Sequence, residues 1–313
     1  MNMKILITGG SGFVGSSLAK YARSSGLGVR VSSRKVAIEP LIGIEFCQVA
    51  DLGPDTDWLC ALSGVDVVVH CAGRAHVSKG YSGDSMVLFR LINTEGTLNL
   101  AKQAAKAGVR RFVYISSVGV NGIQSQDGFR FNECDQPRPH NAYSQSKLEA
   151  EEGLRKIAAC TKLEVVIIRP TLVYGANAPG NFGALQRAVL RGLPFPLGSV
   201  RNKRSLVNIF NLVDFIVTCI THPQAANQTF LVSDGEDVST VDIIIGLAGA
   251  ARIPYYIFPV PVWLMRLIAS VLDRREKFLG LCGNLQIDIS KAREMLGWEP
   301  KVSVKEGLSR AME

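Results

Sequence analysis

A tyrosine and a lysine at short spacing are the first residues of this sequence that could carry chemistry. Tyr143 and Lys147 stand in the segment YSQSK, within a stretch whose pattern predicts a helix over residues 142–159. Side chains four residues apart share one face of a helix, so both can reach the same ligand. A tyrosine hydroxyl ordinarily has a pKa of about 10, and a nearby ammonium group lowers it. The pair therefore predicts a general acid or base.

Two serines precede that pair and follow the strand predicted over residues 111–115. They are Ser116 and Ser117, in RFVYISSVGVNG. Ligands bind at the carboxyl ends of strands in open α/β sheets. We therefore expect Ser117 to donate a hydrogen bond to a substrate oxygen beside Tyr143, and we assign Ser116 to capping the segment that follows.

A glycine-rich loop follows the first predicted strand. Gly9, Gly12 and Gly15 have the spacing G-x-x-G-x-x-G in KILITGGSGFVGSSL. The first glycine permits a tight turn, the second lets the backbone approach a pyrophosphate, and the third lets the next helix pack closely on the strand. The amide groups at the start of that helix favour negative charge. This order of strand, turn and helix predicts a dinucleotide site.

The end of the second predicted strand indicates which dinucleotide is bound. NAD sites usually carry Asp or Glu there, about 20 residues after the glycines, to accept from the ribose 2′-hydroxyl. Here the sequence is VRVSSRK, which puts Ser33, Arg34 and Lys35 at that place. A hydroxyl and two cations suit a 2′-phosphate. We expect NADP(H) to be preferred, with NAD(H) as the alternative.

Strand and helix patterns alternate through the first half of the chain. They predict strands at 4–8, 29–33, 45–49, 66–71, 111–115 and 164–169, and helices at 13–25, 88–107 and 142–159. This alternation is typical of the α/β class, with a Rossmann-type, doubly wound parallel sheet that has helices on both faces. We expect a dinucleotide-binding domain over residues 1–175, to whose sheet 205–235 returns. A smaller C-terminal α/β domain, which binds the substrate, would comprise 176–204 and 236–313.

The composition narrows the classes of protein. The chain has 313 residues and a net charge of +8, but it lacks the Lys/Arg runs with interleaved aromatic residues that nucleic-acid-binding proteins carry. The apolar stretch at 255–272 is interrupted by prolines and Arg266 and is too short to span a bilayer. It predicts a buried or amphipathic helix, with docking on a membrane surface as an alternative. Seven cysteines without a C-x-x-C pair predict reduced thiols in a cytoplasmic protein, and no metal site.

Seven motifs in order along the chain resemble the extended short-chain dehydrogenase/reductase family, to which nucleotide-sugar epimerases and dehydratases belong. They are TGGSGFVG at 8–15, ADL at 50–52, HCAG at 70–73, NTEGTLNL at 93–100, SS with YSQSK at 116–117 and 143–147, RPTLVYG at 169–175, and DISKAREMLGWEP at 288–300. The resemblance covers nearly the whole chain. It implies an NAD(P)-dependent enzyme that acts on a nucleotide-diphosphate sugar.

The resemblance also implies roles for individual residues. Ser117, Tyr143 and Lys147 match the catalytic set, with Tyr143 as the acid or base and Lys147 as its partner. The residues that would contact the cofactor, besides Ser33, Arg34 and Lys35, are Gly9, Gly12, Phe13, Val14, Gly15, Asp51, Leu52, Cys71, Ala72, Gly73, Asn93, Tyr143, Lys147, Pro170 and Val173. Substrate contacts would come from Ser117, from Asn181 and Arg204 at the diphosphate, and from a second arginine, Arg274 or Arg275. Dimers are common in the family, so the resemblance allows a homodimer.

Three departures from the familiar galactose-type epimerases shape the functional prediction. Ser33 replaces the usual acid, Ala75 stands where those enzymes have lysine, and VNG at 120–122 replaces V-Y-G. The run HCAGRAHV instead resembles reductases of 4-keto-6-deoxy-N-acetylhexosamine nucleotides, which supply O-antigen, lipopolysaccharide and capsule sugars. We therefore expect an NADPH-dependent 4-ketoreductase of a UDP-4-keto-6-deoxy-N-acetylhexosamine. The alternatives are a UDP-sugar 4-epimerase of the UDP-glucose or UDP-N-acetylglucosamine type with tightly bound NAD, and a non-catalytic NADP-binding regulator.

Overall fold

The computed structural model describes residues 3–34, 43–75 and 83–313. The strands within these ranges are β1 Lys4–Thr8, β2 Gly28–Ser33, β3 Ile44–Gln48, β4 Val67–His70, β5 Arg111–Ile115, β6 Glu164–Pro170, β7 Leu172–Tyr174, β8 Arg204–Asn208, β9 Thr229–Val232 and β10 Asp237–Val238. Seven of them form one sheet in the order β3-β2-β1-β4-β5-β6-β9, and every neighbouring pair is parallel. The prediction of a doubly wound parallel sheet is confirmed.

Helices cover both faces of this sheet. Those in the described ranges are α1 Phe13–Ser24, α2 Leu59–Leu62, α3 Ser85–Phe89, α4 Gly96–Lys106, α5 Ala142–Cys160, α6 Gly180–Leu190, α7 Ile209–Thr221, α8 Thr240–Ala251, α9 Val262–Val271, α10 Arg275–Cys282, α11 Ser290–Leu296 and α12 Val304–Arg310. Alternate residues of a strand point to opposite faces. On β1, Ile5 and Ile7 belong to the apolar cluster formed with α1 and α7, whereas Leu6 belongs to the cluster formed with α4 and α5. All residues of β4 and β5 are buried, which explains why each strand is mostly apolar, with His70 ending β4 and Arg111 starting β5.

The helix predicted over residues 88–107 contains an irregular turn. Asp84 caps its start by accepting from the Met86 amide, α3 follows, and a π-helical turn at Arg90–Glu95 leads into α4. Single π turns inside helices often occur at functional sites. This one carries Asn93, whose side chain is buried against the loop after β4.

A second sheet has three strands in the order β10-β8-β7. With α6, α8 and α12 it surrounds a separate apolar cluster that includes Phe182, Leu247 and Leu308. Of the segment 205–235, which we expected to return to the large sheet, β9 does so by pairing with β6, but β8 does not. Both edges of β8 are hydrogen-bonded, to β7 and to β10, so no edge is left for the large sheet. Among the described residues, no helix is both long enough and apolar enough to cross a bilayer.

Candidate active site

A groove lies at the carboxyl ends of β1, β2 and β4, where the order of the large sheet reverses direction. It encloses about 650 Å³ and is lined by the loops that follow these strands and β3. Nine of the residues assigned to the cofactor line it: Gly9, Gly12, Ser33, Arg34, Asp51, Leu52, Cys71, Ala72 and Gly73. Crevices at this point of doubly wound sheets bind nucleotides.

The floor of the groove has no room for side chains. Gly9 has a φ of +70°, and a Cβ there would lie 2.8 Å from the Ala72 amide nitrogen. A Cβ at Gly15 would lie 2.3 Å from the Gly9 carbonyl oxygen, so only glycine lets α1 pack this closely on the turn. Gly12 directly precedes α1, whose first amide groups have no partner inside the helix. This cradle fits the pyrophosphate of a dinucleotide.

An ion pair lies at the rim of the groove, at the end of β2, where we expected the 2′-phosphate of NADP to bind. The Arg34 guanidinium is 2.9 Å from the Asp51 carboxylate, and both side chains are largely exposed. Ser33 lines the same wall, and Lys35 lies outside the described residues. Because Asp51 neutralises Arg34, this rim offers less positive charge to a 2′-phosphate than the sequence suggested.

Four further residues assigned to the cofactor lie in the packed framework around the groove. Phe13 and Val14, in the first turn of α1, are part-buried against the main apolar cluster, and so is Val173 on β7. Pro170 is buried at the end of β6. Their contribution to binding therefore stays a prediction.

Ser117, Tyr143 and Lys147 lie together beside the end of β5. The Lys147 ammonium donates to the Ile115 carbonyl oxygen over 2.9 Å, and its nitrogen is 5.9 Å from the centre of the Tyr143 ring. The Ser117 hydroxyl is close enough to Tyr143 to lower the pKa of the tyrosine. A capping box formed by Asn141 and Ser144 fixes the start of α5 around Tyr143. The four-residue spacing thus places the tyrosine and the lysine at one site.

Burial sets the protonation states of this pair. It raises the pKa of Tyr143 to about 12, and the hydrogen bond with Ser117 only partly opposes the rise. It also lowers the pKa of Lys147 to about 8, against the opposing charges of Cys71 and Glu151. At neutral pH, Tyr143 is therefore a protonated hydroxyl beside a lysine that still carries its charge. Such a hydroxyl can protonate an alkoxide, and the cation favours the reverse transfer.

Asn93 fixes the loop after β4 in front of Lys147. Its side chain accepts from the Arg74 amide over 2.8 Å and donates to the Arg74 carbonyl oxygen and to the Ser146 hydroxyl over 3.0 and 3.1 Å. Gly73 lies in this loop, and a Cβ there would be 3.4 Å from the Lys147 ammonium nitrogen. The missing side chain leaves space for a ligand between the groove and Lys147.

A buried ion pair that the sequence analysis did not identify lies behind Tyr143 and Lys147. The Glu151 carboxylate accepts from Nε and Nη2 of Arg169 over 2.9 and 2.6 Å, and both side chains are buried. Arg169 also donates to the Asn121 side chain over 3.0 Å. Glu151 follows Lys147 by four residues on α5, so the spacing that links Tyr143 to Lys147 could have identified it.

Of the two serines after β5, one has a different role from the one we assigned, and the other has an additional one. Ser116 donates to Glu151 over 2.6 Å and is buried, so the interpretation of Ser116 as a cap was wrong. Ser117 caps the turn instead, because its hydroxyl accepts from the Gly119 amide over 3.0 Å. Because the hydroxyl acts as acceptor in this bond, it can still donate its hydrogen, and the donation to a substrate oxygen beside Tyr143 stays a prediction.

Arg204, the first residue of β8, is a buried cation. Its guanidinium donates to the carbonyl oxygens of Gly283 and Leu279 over 2.9 and 3.4 Å. Burial lowers its pKa to about 10. Within the described ranges no carboxylate pairs with it. A buried charge without a counter-charge is costly, and an anionic ligand such as a diphosphate would relieve that cost.

The other two residues assigned to the substrate are exposed. Asn181 stands in the first turn of α6, and Arg274 directly precedes α10. Glu276, in the first turn of α10, is close enough to His140 to raise its pKa against the lowering effect of desolvation. The amino end of α10 therefore lies near the catalytic helix, and the choice between Arg274 and Arg275 stays open. Sequence reasoning did not identify His140.

The fold and this site define an enzyme of the short-chain dehydrogenase/reductase type, in which a dinucleotide groove ends at a Ser, Tyr and Lys cluster. The chain belongs to the NAD-dependent epimerase/dehydratase family, whose model matches residues 5–233. The family resemblance of the sequence analysis is thus confirmed. In the parts of the chain that the structure describes, no group of three or more His, Cys, Asp or Glu side chains is arranged to hold a metal ion.

Relatives that match nearly the whole chain include two 4-epimerases. The UDP-glucose 4-epimerase of Vibrio cholerae is 45% identical over 311 residues, which are 99% of this chain and 94% of that protein. The N-acetyl-alpha-D-glucosaminyl-diphospho-ditrans,octacis-undecaprenol 4-epimerase of Escherichia coli O157:H7 is 26% identical over 333 residues, with coverage of 100% and 95%.

Solved structures share the fold. The UDP-glucose 4-epimerase of Thermotoga maritima, solved with UDP-glucose, has a TM-score of 0.79 at 24% identity, with 99% of this chain and 97% of that chain covered. The UDP-glucuronic acid 4-epimerase of Bacillus cereus, solved with NAD, has the same TM-score at 22% identity and the same coverage. At these identities the similarity shows the fold of this chain.

Proposed function

We propose that this protein is a UDP-hexose 4-epimerase that works with a tightly held NAD. The observation that carries the proposal is the 45% identity to the UDP-glucose 4-epimerase of Vibrio cholerae over 99% of this chain. The same observation favours the epimerase over the 4-ketoreductase that the sequence analysis expected first. The nearby Ser117, Tyr143 and Lys147 support it, because reaction at a sugar hydroxyl needs an acid or base at that oxygen.

The reaction would oxidise and then reduce C4 of the sugar, with no net use of cofactor. A nicotinamide, when bound, supplies the reversible acceptor of hydride. Tyr143, once it has lost its own proton, takes the proton of the 4-hydroxyl and later returns it to the same oxygen, while Ser117 holds that oxygen by a hydrogen bond. Lys147 stabilises the negative charge that Tyr143 carries before the first transfer and after the second, and so favours the loss of the tyrosine proton that the first transfer requires. If the 4-keto sugar rotates in the site between oxidation and reduction, the hydride returns to the opposite face of C4 and the configuration there is inverted.

Arg204 would bind the diphosphate of the substrate. Its guanidinium is buried, bonded to two backbone carbonyls, and without a carboxylate among the described residues. Asn181 at the start of α6 would contribute a neutral donor to the same group. Binding energy from the nucleotide end would then hold the sugar near Tyr143.

The cofactor would be NAD rather than NADP. The Arg34–Asp51 ion pair places a carboxylate at the rim where a 2′-phosphate would lie, and like charges repel there. The family to which the chain belongs is NAD-dependent by its description. We expect NAD to be released when the purified protein is denatured.

Incubation of the purified protein with UDP-glucose, without added cofactor, tests the proposal. We expect UDP-galactose to form at a rate that added NADPH does not change. Tyr143→Phe should abolish the conversion, whereas Tyr256→Phe, which alters an exposed tyrosine, should leave it intact. Failure to interconvert either UDP-glucose or UDP-N-acetylglucosamine, in protein that holds NAD, would exclude the epimerase.

The 4-ketoreductase is the second candidate, and one observation favours it. The dinucleotide groove has Ser33 at the end of β2, where NAD sites usually have an acid. In that reaction hydride would reach the C4 carbonyl of a UDP-4-keto-6-deoxy-N-acetylhexosamine, and Tyr143 would protonate the oxygen. Stoichiometric loss of NADPH absorbance with this substrate, faster than loss of NADH, would establish it.

A further inference from the structure

Helix α9 presents an apolar side that nothing in the described structure covers. Trp263, Leu267 and Val271 are 68%, 54% and 78% exposed, and their spacing of four residues aligns them in one stripe. Val262 and Met265, on the opposite side, pack against the cluster of the small sheet. No residue of α9 is buried. Few side chains of α9 therefore pack against the rest of the protein, and its larger apolar side faces solvent.

The exposed apolar surface is wider than the stripe. Ile268 and Leu272 flank it and are also exposed, and these two residues together with Trp263, Leu267 and Val271 are called the α9 face below. In the segment just before α9, the large side chains of Tyr255, Tyr256 and Phe258 are exposed as well. Contiguous apolar patches on this scale mark interaction surfaces.

Cations surround the α9 face in sequence. Residues 252–277 contain five, Arg252, Arg266, Arg274, Arg275 and Lys277, against two carboxylates, Asp273 and Glu276. All seven are exposed, and no ion pair of the described residues involves any of them. The segment that carries the α9 face therefore has five cations against two carboxylates, and among the described residues none of these seven side chains forms an ion pair.

We propose that the α9 face docks on an anionic membrane surface. A helix with Trp and Leu on one side and Arg beside it lies flat at the lipid–water boundary, where the apolar side enters the acyl region and the cations meet headgroup phosphates. Ser270 and Arg266 flank the stripe on one side, which is the polar edge that such a position requires. The ten residues of α9 are too few to span a bilayer, so the helix lies in its plane.

Charge distinguishes the membrane from a second copy of the chain as the occupant. In a symmetric dimer through this face the same patch would meet itself, so a segment with an excess of cations over carboxylates would approach another with the same excess. Like charges held close together are destabilising. An anionic lipid surface supplies the opposite charge and attracts Lys and Arg side chains that lie near it.

The three tryptophans allow a direct test with the full chain. Trp58 and Trp298 are 3% and 4% exposed, whereas Trp263 is 68% exposed, so a change of emission on lipid binding reports Trp263. With vesicles of phosphatidylcholine and phosphatidylglycerol we expect a blue shift and co-sedimentation. With phosphatidylcholine alone we expect binding to be at least about tenfold weaker, and added salt should weaken binding to the anionic vesicles.

Variants on and off the face supply the controls. Leu267→Glu should reduce co-sedimentation with anionic vesicles at least about tenfold, because it brings a carboxylate against anionic headgroups. Leu59→Glu, at a 65% exposed leucine on α2, is the matched control and should sediment like the original protein. Trp263→Phe should keep binding and lose the emission change.

Three results would overturn the proposal. They are the absence of binding to anionic vesicles, equal binding by the Leu267→Glu and Leu59→Glu variants, and a lipid-free dimer that Leu267→Glu converts to monomer. The last result would assign the α9 face to a second copy of the chain. Circular dichroism of each variant confirms that it is folded, so loss of binding is attributable to the face.

Discussion

Glu151→Gln is the substitution that most directly tests the buried network behind the active site. The Glu151 carboxylate is completely buried and accepts two hydrogen bonds from Arg169, one from Ser116 and one from Arg155. Glutamine keeps the shape of the side chain but removes its charge. Its amide N–H groups would also face the Arg169 donors. Arg169 would then remain in the interior without its counter-charge.

The expected loss in free energy of unfolding is about 3–5 kcal/mol, the usual cost of removing one partner of a buried ion pair. The total free energy of unfolding of a domain is about 5–15 kcal/mol, so the variant should still fold but should unfold at a clearly lower urea concentration than the original protein. A second effect concerns the active site. Glu151 raises the pKa of Lys147, so its removal should lower that pKa and move the alkaline limb of the activity profile to lower pH.

Urea unfolding, followed by tryptophan emission, measures the first effect. Glu149→Gln is the matched control, because Glu149 is on the same helix and its ion pair with Arg90 lies at the surface. That control should lose about 0–1 kcal/mol. Glu151→Gln combined with Arg169→Met should lose less than the sum of the two single variants. If Glu151→Gln proves as stable as Glu149→Gln, the buried pair does not stabilise the fold in this way.

Three further predictions concern the groove and the catalytic pair. Tyr143→Phe should lower turnover by about 10²-fold or more while bound dinucleotide is retained, and loss of the dinucleotide as well would contradict a purely chemical role. Lys147 has a pKa of about 8 in the folded protein against its ordinary 10.5, so between these pH values the unfolded chain holds more protons than the folded one. The free energy of unfolding should therefore increase with pH across that window. Lys147→Met should remove this increase, which urea titrations at several pH values would measure. Gly9→Ala should lose bound dinucleotide because its Cβ would approach the Ala72 amide, whereas Gly26→Ala, which has a positive φ but no atom within 4 Å, should retain it when cofactor release is measured.

The elements of the large sheet were predictable because their signals are local. Continuous apolar runs in β4 and β5, and the glycine loop between β1 and α1, follow from burial on both sides and from backbone geometry. Strand pairing was less accessible, since it depends on which edges are free. The sequence of β8 predicted a strand of the large sheet, but its pairing with β7 and β10 places it in the small sheet.

The residues on one side of α5 show what sequence spacing can predict and what only the fold determines. They are Tyr143, Lys147 and Glu151. Their spacing of four residues determines by itself that they share a side of α5. Only the fold decides that Arg169, from β6, meets Glu151 in the interior, and that burial moves the pKa values of Tyr143 and Lys147 apart.

The sequence by itself determined the class of fold, the dinucleotide loop and the pairing of tyrosine with lysine, because each depends on residues close together in the chain. Tertiary structure alone decided that Asp51 neutralises Arg34, that Arg204 is buried without a carboxylate among the described residues, and that α9 leaves its apolar side exposed. These features join residues far apart in the chain, or depend on which surface stays uncovered after packing. Charge and solvation at a site depend on all residues that are close in space, whereas a sequence pattern describes only residues that are close in the chain.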